Sequence, residues 1–243
     1  MEPEDASILI VDDEVDICEN MADILRDLGY RVEMAHDGRR ALELVRQQPF
    51  DVALIDLKMP GMDGLTLYRE MKKVRAGTAA IVVTAHATDR HAEEALALGA
   101  LQVLPKPIDF PRLFRHIDAA LARPLLLVVD DDRDLCETLW DLLHERGFRV
   151  CLAHGKADAA GRLDEKGPSY RVVLIDMKLP DGDGGDVLRR VRAANPEAHV
   201  VLITGFPRES GPQIETLIAA GVDAVQYKPF DVPRLLSTIQ QLA

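Results

Sequence analysis

Short apolar runs alternate with longer amphipathic stretches along the whole chain. Four runs in the first half are apolar at nearly every position, as in strands covered on both faces: residues 8–11, 52–55, 81–83 and 101–104. Residues 31–34 predict a fifth strand, at an edge of the sheet. Strands that alternate with helices predict a parallel sheet with helices packed on both of its faces.

Helices are predicted where apolar residues recur every three or four positions between the strands. The first includes Ile17 and Leu28, and Gly29 is a suitable residue to end it. Three more are predicted over residues 64–73, 89–98 and 109–121. Asp89 and Asp109 open the last two, since an aspartate side chain can cap the first turn of a helix.

The second half of the chain repeats the first. Four motifs return in the same order: ILIVDDE at 8–14 as LLVVDDD at 126–132, VALIDLKMP at 52–60 as VVLIDMKLP at 172–180, IVVT at 81–84 as VLIT at 201–204, and KP at 106–107 as KP at 228–229. A period this long indicates a duplicated domain rather than a solenoid unit. The sequence predicts two doubly wound α/β domains, at residues 1–122 and 123–243, with almost no linker between them.

Composition narrows the range of functions. The chain has 243 residues, with 41 acidic and 29 basic side chains and a net charge of −12, so direct binding of nucleic acid is disfavoured. Its apolar runs are shorter than the roughly 18–20 residues that span a bilayer, which argues against membrane insertion. Three cysteines, an odd number without metal-ligand spacing, favour a reducing cytoplasm.

Acidic, hydroxyl and amino side chains stand at the predicted carboxyl ends of the strands. The first copy has Asp12, Asp13, Asp56, Thr84 and Lys106, and the second has Asp130, Asp131, Asp176, Thr204 and Lys228. In an open parallel sheet this edge binds ligands, so the members of each set are expected to share one pocket. Three carboxylates in one pocket repel each other unless a cation intervenes, and Mg²⁺ is a hard cation that takes oxygen ligands.

These residue types suit phosphoryl transfer. A carboxylate can act as a nucleophile and form an acyl phosphate, and Asp56 is best placed for this role because it directly follows a strand. Asp12 and Asp13 are expected to hold the metal directly or through water. Thr84 and Lys106 are expected to contact the phosphoryl oxygens, whose charge calls for an ammonium group and a hydroxyl donor.

Both copies resemble response-regulator receiver domains of two-component signalling. The first copy carries LIVDDE, LIDLKMPGMDG, VVTA and LPKP, and the second carries LVVDDD, LIDMKLPDGDG, LITG and QYKPF. The resemblance covers residues 7–122 and 125–242, and it implies a flavodoxin-like (βα)5 fold with strand order 2-1-3-4-5 in each domain. It also implies a signalling switch that catalyses its own phosphorylation and dephosphorylation, rather than a conventional enzyme, with Asp56 and Asp176 as phosphoacceptors.

The same resemblance implies a cofactor and partners. One Mg²⁺ ion per domain would be held by Asp12, Asp13, Asp56 and the backbone carbonyl of Lys58, or by Asp130, Asp131, Asp176 and the backbone carbonyl of Lys178. The phosphoryl group would come from a sensor histidine kinase or a phosphotransfer protein in the cytoplasm. The output would be contact with a downstream protein partner or a phosphorylation-dependent homodimer.

Some residues depart from the family's pattern. Receivers commonly have a tyrosine or phenylalanine three residues before the lysine, where this chain has Val103 and Val225. The aromatic side chain whose rotation usually follows phosphorylation is therefore missing. Glycine and proline at 205–207 and 211–212 predict an irregular entry into the fourth helix of the second copy. His86, two residues after the threonine, is expected at the rim of the pocket, where it could influence access of water to an acyl phosphate.

Other functions stay open at this point. One receiver could act only as a dimerisation adaptor, or the chain could be the regulatory front part of a longer protein, such as two receivers followed by a diguanylate cyclase. A haloacid-dehalogenase-type phosphatase also uses a strand-end aspartate and Mg²⁺, but it needs an acid two residues later, where Lys58 and Lys178 stand. A nicotinamide-binding Rossmann domain needs a glycine-rich turn after the first strand, where this chain has Asp-Asp-Glu.

Simpler structural interpretations exist for single residues. Asp12 and Asp130 each precede an amphipathic stretch and could be helix caps, although a cap explains one acid and not two in succession. Cys18 and Cys136 occupy equivalent helical positions, and with Cys151 in a strand they are expected to be small core residues.

Overall fold

The structure, a computed structural model, describes residues 6–85, 87, 90–166, 169–205 and 211–243. The chain divides into two compact units, Met1–Arg123 and Pro124–Ala243. Each unit contains one five-stranded sheet in which all neighbouring strands are parallel. The predicted fold class, two tandem doubly wound α/β domains, is confirmed.

The first unit alternates strictly between strand and helix. Its strands are β1 (Ser7–Val11), β2 (Arg31–Ala35), β3 (Val52–Ile55), β4 (Ala79–Thr84) and β5 (Gln102–Pro105). Its helices are α1 (Val15–Asp27), α2 (Gly38–Gln47), α3 (Gly64–Arg75), α4 (Arg90–Ala97) and α5 (Phe110–Leu121). The sheet order is β2-β1-β3-β4-β5, which is the predicted order 2-1-3-4-5.

Both faces of the first sheet are covered, as the unbroken apolar runs predict. Successive side chains of a strand point to opposite faces. Accordingly, Leu9 and Ile55 pack in one buried cluster, and Ile8 and Leu54 pack in another. The prediction that residues 101–104 are buried on both faces is wrong: β5 is half-buried because, as an edge strand, it has a neighbour on one side only.

The second unit repeats this arrangement with one addition. Its strands are β6 (Leu125–Val129), β7 (Arg149–Ala153), β8 (Tyr170–Asp176), β9 (Lys178–Leu179), β10 (Gly182–Asp183), β11 (His199–Thr204) and β12 (Ala224–Tyr227). Its helices are α6 (Arg133–His144), α7 (Lys156–Lys166), α8 (Gly184–Ala194), α9 (Gly211–Ala219) and α10 (Val232–Leu242). The sheet order is β7-β6-β8-β11-β12, and β9 and β10 form a separate two-stranded antiparallel ladder after β8.

Aspartate caps fix the start of several helices. Asp109 accepts a hydrogen bond from the backbone N–H of Arg112 at 3.0 Å, as the cap predicted for α5. Asp37 caps α2, a helix that the sequence pattern did not single out. The predicted cap Asp89 and residues 206–210 lie outside the described residues, so the irregular entry into α9 stays a prediction.

The helices of the described residues are short. In this part of the chain we find no helix with the length and hydropathy needed to cross a membrane.

Candidate functional sites

The carboxyl ends of β1 and β3 bring three acids together in the first unit. Val11 pairs with Ile55 in the parallel ladder, so the residues that follow them, Asp12 and Asp56, are neighbours. Carboxylate oxygens of Asp12, Asp13 and Asp56 all lie within 4.8 Å of one another. Asp12 and Asp56 are buried, whereas Asp13 is exposed at the mouth of the site.

The Lys106 ammonium group lies between the two buried carboxylates. Its Nζ is 2.7 Å from Oδ2 of Asp12 and 2.8 Å from Oδ2 of Asp56. The position is fixed because the backbone N–H of Lys106 donates to the carbonyl of Thr84 at 3.0 Å, at the end of the neighbouring strand. The bond from Lys106 to Pro107 is cis, as is the bond from Lys228 to Pro229. The Lys106 side chain is only 11% exposed, so it is enclosed by the site and is not an ordinary solvated surface lysine.

The other oxygen of each buried carboxylate accepts a hydrogen bond from a backbone N–H group. Oδ1 of Asp12 accepts from the N–H of Glu14 at 3.0 Å, and Oδ1 of Asp56 accepts from the N–H of Lys58 at 3.1 Å. The interpretation of Asp12 and Asp130 as helix caps is wrong, because the caps of α1 and α6 are the residues two positions later. Both carboxylates are therefore oriented with one oxygen toward the lysine.

The second unit builds an equivalent site. Oxygens of Asp130, Asp131 and Asp176 lie within 4.8 Å of one another. Nζ of Lys228 is 2.6 Å from Oδ2 of Asp130 and 2.6 Å from Oδ2 of Asp176. A cleft of about 380 Å³ opens over the site, and Thr204 lines it together with three of these residues, Asp131, Asp176 and Lys228.

The two threonines also lie at strand ends beside the aspartates, and two lysines donate backbone hydrogen bonds to the aspartates. Thr84 and Thr204 are buried at the ends of β4 and β11, next to the strands that carry the aspartates. The N–H of Lys178 donates to Oδ1 of Asp176 at 2.9 Å, as that of Lys58 does to Asp56. The use of the Lys58 and Lys178 carbonyls as metal ligands stays a prediction.

One contact in the first site was not predicted. Oε1 of Glu14 is 3.0 Å from Nζ of Lys106, which makes this acid a third partner of the ammonium group. The equivalent residue of the second unit is Asp132, whose Oδ1 instead accepts from the N–H of Leu135 and caps α6. The sequence signal was present, because the motif reads Asp-Asp-Glu in one copy and Asp-Asp-Asp in the other.

Burial and ion pairing perturb the titration of these groups. Burial raises the pKa of Asp12 above its ordinary value, although the hydrogen bond from Lys106 opposes the shift. The pKa of Asp130 is raised for the same reason, against the opposing bond from Lys228. Burial alone would lower the pKa of Lys106, but hydrogen bonds to Asp12, Asp56 and Glu14 outweigh it and the pKa is raised. Each site therefore holds three clustered carboxylates against one lysine ammonium, and burial disfavours the charged form of one of the carboxylates.

We expect Asp12→Asn to stabilise the metal-free protein at pH 7 by about 1 kcal/mol, because burial disfavours the charged form of this carboxylate and pKa shifts correspond to free energies of roughly this order. Because the folded-state pKa of Asp12 is raised, its contribution to stability is fully present below its unfolded value near 3.8 and is lost as the pH rises through the folded pKa. The gain should therefore shrink toward pH 4. Urea unfolding with a chelator tests this, with exposed Asp16→Asn as the control. Loss of stability in Asp12→Asn at pH 7 would contradict the expectation.

Gly64, the first residue of α3, allows the start of this helix to pack closely against the backbone of Asp56. A Cβ atom on Gly64 would lie 2.0 Å from the carbonyl oxygen of Asp56, and one on Gly184 would lie 2.6 Å from that of Asp176. The strand-end loop could not keep its course with a larger residue at either position, so these glycines help to place the aspartates.

We expect Gly64→Ala to lower the free energy of unfolding by about 2–3 kcal/mol through this overlap. Gly161→Ala is a matched control, since its Cβ would meet open space in α7 and a helical alanine is favoured by about 0.5–1 kcal/mol. Denaturant unfolding of both variants measures the difference. Equal free energies of unfolding in the two variants would contradict this expectation, because they would show that the loop accommodates the methyl group without loss of stability.

Three further sequence observations concern the surroundings of the sites. Val103 and Val225, which replace the usual aromatic residue, are half-buried and pack against the core of their units. Cys18 and Cys136 are buried, as expected. The Sγ atom of Cys18 lies 3.3 Å from the backbone carbonyl oxygen of Asp12, and that of Cys136 lies 3.3 Å from the carbonyl oxygen of Asp130. His86 lies outside the described residues, so its place at the rim stays a prediction.

The donor atoms suit a hard divalent cation. Each cluster offers only carboxylate oxygens, close enough together for one ion to touch all three residues. Mg²⁺ prefers oxygen ligands and typically keeps several waters, so one exposed and two buried carboxylates fit its requirements. Asp12, Asp13 and Asp56 could therefore hold Mg²⁺ in the first unit, and Asp130, Asp131 and Asp176 could hold it in the second.

Comparison with known proteins agrees with the fold and assigns the chain to a family. The family model of the response regulator receiver domain matches residues 8–118 and 126–240. A response regulator receiver protein from Anaeromyxobacter sp. (strain Fw109-5) is 38% identical over 234 residues, which are 96% of this chain and 94% of that protein.

Two further matches each cover about half of this chain. The transcriptional regulatory protein ZraR of Escherichia coli (strain K12) is 40% identical over 122 residues, which are 50% of this chain and 28% of that protein. A CheY-like receiver domain structure from Methanospirillum hungatei JF-1 has 31% identity and a TM-score of 0.45, and it covers 47% of this chain and 95% of its own. Receiver domains act as signalling switches, and the chain belongs to the response regulator receiver family of two-component systems, of which it carries two domains.

Proposed function

We propose that Asp56 and Asp176 accept phosphoryl groups from the phosphohistidine of a sensor histidine kinase or a phosphotransfer protein. The observation that carries this proposal is an arrangement of side chains that both units share. In each unit, one oxygen of the strand-end aspartate accepts a hydrogen bond from a backbone N–H group, and the other oxygen lies 2.6–2.8 Å from a lysine Nζ. Two further carboxylates lie beside this aspartate. We also propose that residues 1–122 and 123–243 act as separate receivers.

The proposed reaction is an in-line displacement at phosphorus. Oδ2 of Asp56 supplies the electron pair for a new P–O bond, and the P–N bond to the donor imidazole breaks. The imidazole nitrogen keeps the bonding pair and takes a proton from solvent, so atoms and charge balance. The bond from the Lys58 N–H to Oδ1 holds the carboxylate plane during the attack. The product is an acyl phosphate, which water can later hydrolyse.

The lysine and threonine stabilise the transferred group. In the unphosphorylated state the Lys106 ammonium bonds to Oδ2 of Asp56, the oxygen that we propose as the nucleophile. When that oxygen forms the P–O bond, the ammonium can turn to a phosphoryl oxygen and balance its charge. Thr84, at the end of the adjacent strand, is proposed to donate its hydroxyl to another phosphoryl oxygen. Lys228 and Thr204 are proposed to do the same in the second unit.

Mg²⁺ is the proposed cofactor, one ion for each receiver. When bound, it would neutralise part of the negative charge that the acids and the phosphoryl group bring to the same place. The acids that the structure brings together, with the carbonyls of Lys58 and Lys178, are the proposed ligands. Burial raises the pKa of Asp12 and of Asp130, so the charged form of each carboxylate is disfavoured, and a bound cation would favour it.

The proposed output is protein contact in the cytoplasm. Phosphorylation would change binding to a downstream partner or drive formation of a homodimer, and the net charge of −12 disfavours direct contact with nucleic acid. The chain spans only about a quarter of ZraR, so that protein's regulatory activity is not transferred to it.

Intact mass spectrometry tests the proposal. The protein is incubated with Mg²⁺ and acetyl phosphate, and the number of added phosphoryl groups is counted before and after treatment with hydroxylamine, which cleaves acyl phosphates. We expect up to two added groups, removed by hydroxylamine and absent when a chelator replaces Mg²⁺. Label that resists hydroxylamine would contradict an acyl phosphate.

A further inference from the structure

The two sites differ in how many carboxylates hold the lysine. Among the described residues, Nζ of Lys106 pairs with Asp12, Asp56 and Glu14, whereas Nζ of Lys228 pairs with Asp130 and Asp176. The side chain of Lys106 is 11% exposed and that of Lys228 is 27% exposed. The ammonium group of the first site is therefore more enclosed and more fully neutralised.

The cause is a difference of one methylene group at the first residue before the helix. Glu14 and Asp132 both occupy the cap position of the following helix. The shorter Asp132 side chain turns back to the N–H of Leu135 at 3.0 Å, which is the usual bond of a capping aspartate. Glutamate is a poor cap, and in the described residues the Glu14 side chain makes no capping bond but extends to Lys106.

We infer that Glu14 is a positioning residue that holds Lys106 in its unphosphorylated place and makes the first receiver slower to phosphorylate than the second. The inference rests on the proposed function. The lysine ammonium has to leave the aspartate oxygen and bind the incoming phosphoryl group. The ion pair with a third carboxylate stabilises the ammonium in its original position and so opposes this movement. The side chain of Glu14 is also 61% exposed, so its charge repels an anionic phosphodonor at the mouth of the site.

The test compares rates at the two aspartates in one molecule. The full chain is incubated with Mg²⁺ and acetyl phosphate, and labelling of Asp56 and Asp176 is followed separately by peptide mass spectrometry. Glu14→Gln should raise the labelling rate at Asp56 by about three- to tenfold, the size expected for one charge removed near a partly exposed site. Glu43→Gln is the matched control, because it removes a similarly exposed acid from the same unit, with 56% of its side chain exposed.

Exchanging the two residues provides a second variant pair. Glu14→Asp should let the side chain cap α1 and raise the rate at Asp56, while Asp132→Glu should give up the cap of α6 and lower the rate at Asp176. Because Glu14 acts through its charge, the gain in Glu14→Gln should shrink as ionic strength rises. If Glu14 had a purely structural role, the gain in rate would not depend on ionic strength.

The outcomes separate the inference from the proposed function. If Asp56 is labelled at the same rate in the wild type and in Glu14→Gln, the inference is wrong and the phosphoacceptor assignment stands. If both Glu14→Gln and Glu43→Gln raise the rate equally, the effect is one of net charge and the inference is again wrong. If Asp56 is never labelled while Asp176 is, the proposed function fails at the first site and the inference fails with it.

Discussion

Replacing both strand-end aspartates, by Asp56→Asn and Asp176→Asn together, is expected to abolish hydroxylamine-labile phosphorylation. Asparagine keeps the size of the side chain and an acceptor for the backbone N–H, but its amide cannot form an acyl phosphate. Each single variant should retain one acceptor and hence one added group. Labelling with acetyl phosphate and intact mass spectrometry distinguishes the three variants.

Matched controls address general damage to the loops. Asp63→Asn and Asp183→Asn lie close to the sites in sequence and remove the same charge, and asparagine caps a helix about as well as aspartate. Both controls should keep two acceptors. Full labelling of the Asp56 and Asp176 double variant would show that other residues carry the phosphoryl groups.

Removing the lysine is the second large effect that we expect. Lys106→Met should lower the free energy of unfolding of the first unit by about 3 kcal/mol, because it leaves Asp12 and Asp56 charged, buried and without their common partner. Mg²⁺ should recover more stability in this variant than in the wild type, since an ion that binds only the folded state stabilises it by mass action. Urea unfolding with and without Mg²⁺ measures both effects.

Lys73→Met provides the comparison for this variant. Its Nζ is 2.6 Å from Oε1 of Glu70, but the side chain is 65% exposed, and pairs of that kind contribute about 0–1 kcal/mol. A loss in Lys106→Met no larger than that in Lys73→Met would contradict the view that the site concentrates unbalanced negative charge. The expected stabilisation by Asp12→Asn follows from the same view, with the opposite sign.

Much of the fold could be predicted because strands and helices alternate with different hydrophobic periods. The parallel sheet then brings strand ends together, so that Asp12 and Asp56 become neighbours although 43 residues lie between them in the chain. The burial of β5 was overestimated, because an apolar run does not reveal which strand lies at the edge of the sheet. Short irregular elements such as the ladder of β9 and β10 also gave no periodic signal.

The site could be predicted as a set of residue types but not as a network. Acid, hydroxyl and amino groups at strand ends are visible in the sequence, and the duplication shows them twice. The contact between Glu14 and Lys106 depends on whether a side chain reaches the lysine or turns back to cap a helix. That choice depends on one methylene group and on the local backbone, and only the structure displays it.

Trapping the acyl phosphate tests the central claim most directly. After incubation with Mg²⁺ and acetyl phosphate, borohydride reduces a phosphorylated aspartate to homoserine, and peptide mass spectrometry locates the changed residue. The account predicts homoserine at positions 56 and 176. Homoserine at any other aspartate, or phosphate found only on histidine or serine, would contradict the assignment of these two residues as phosphoacceptors.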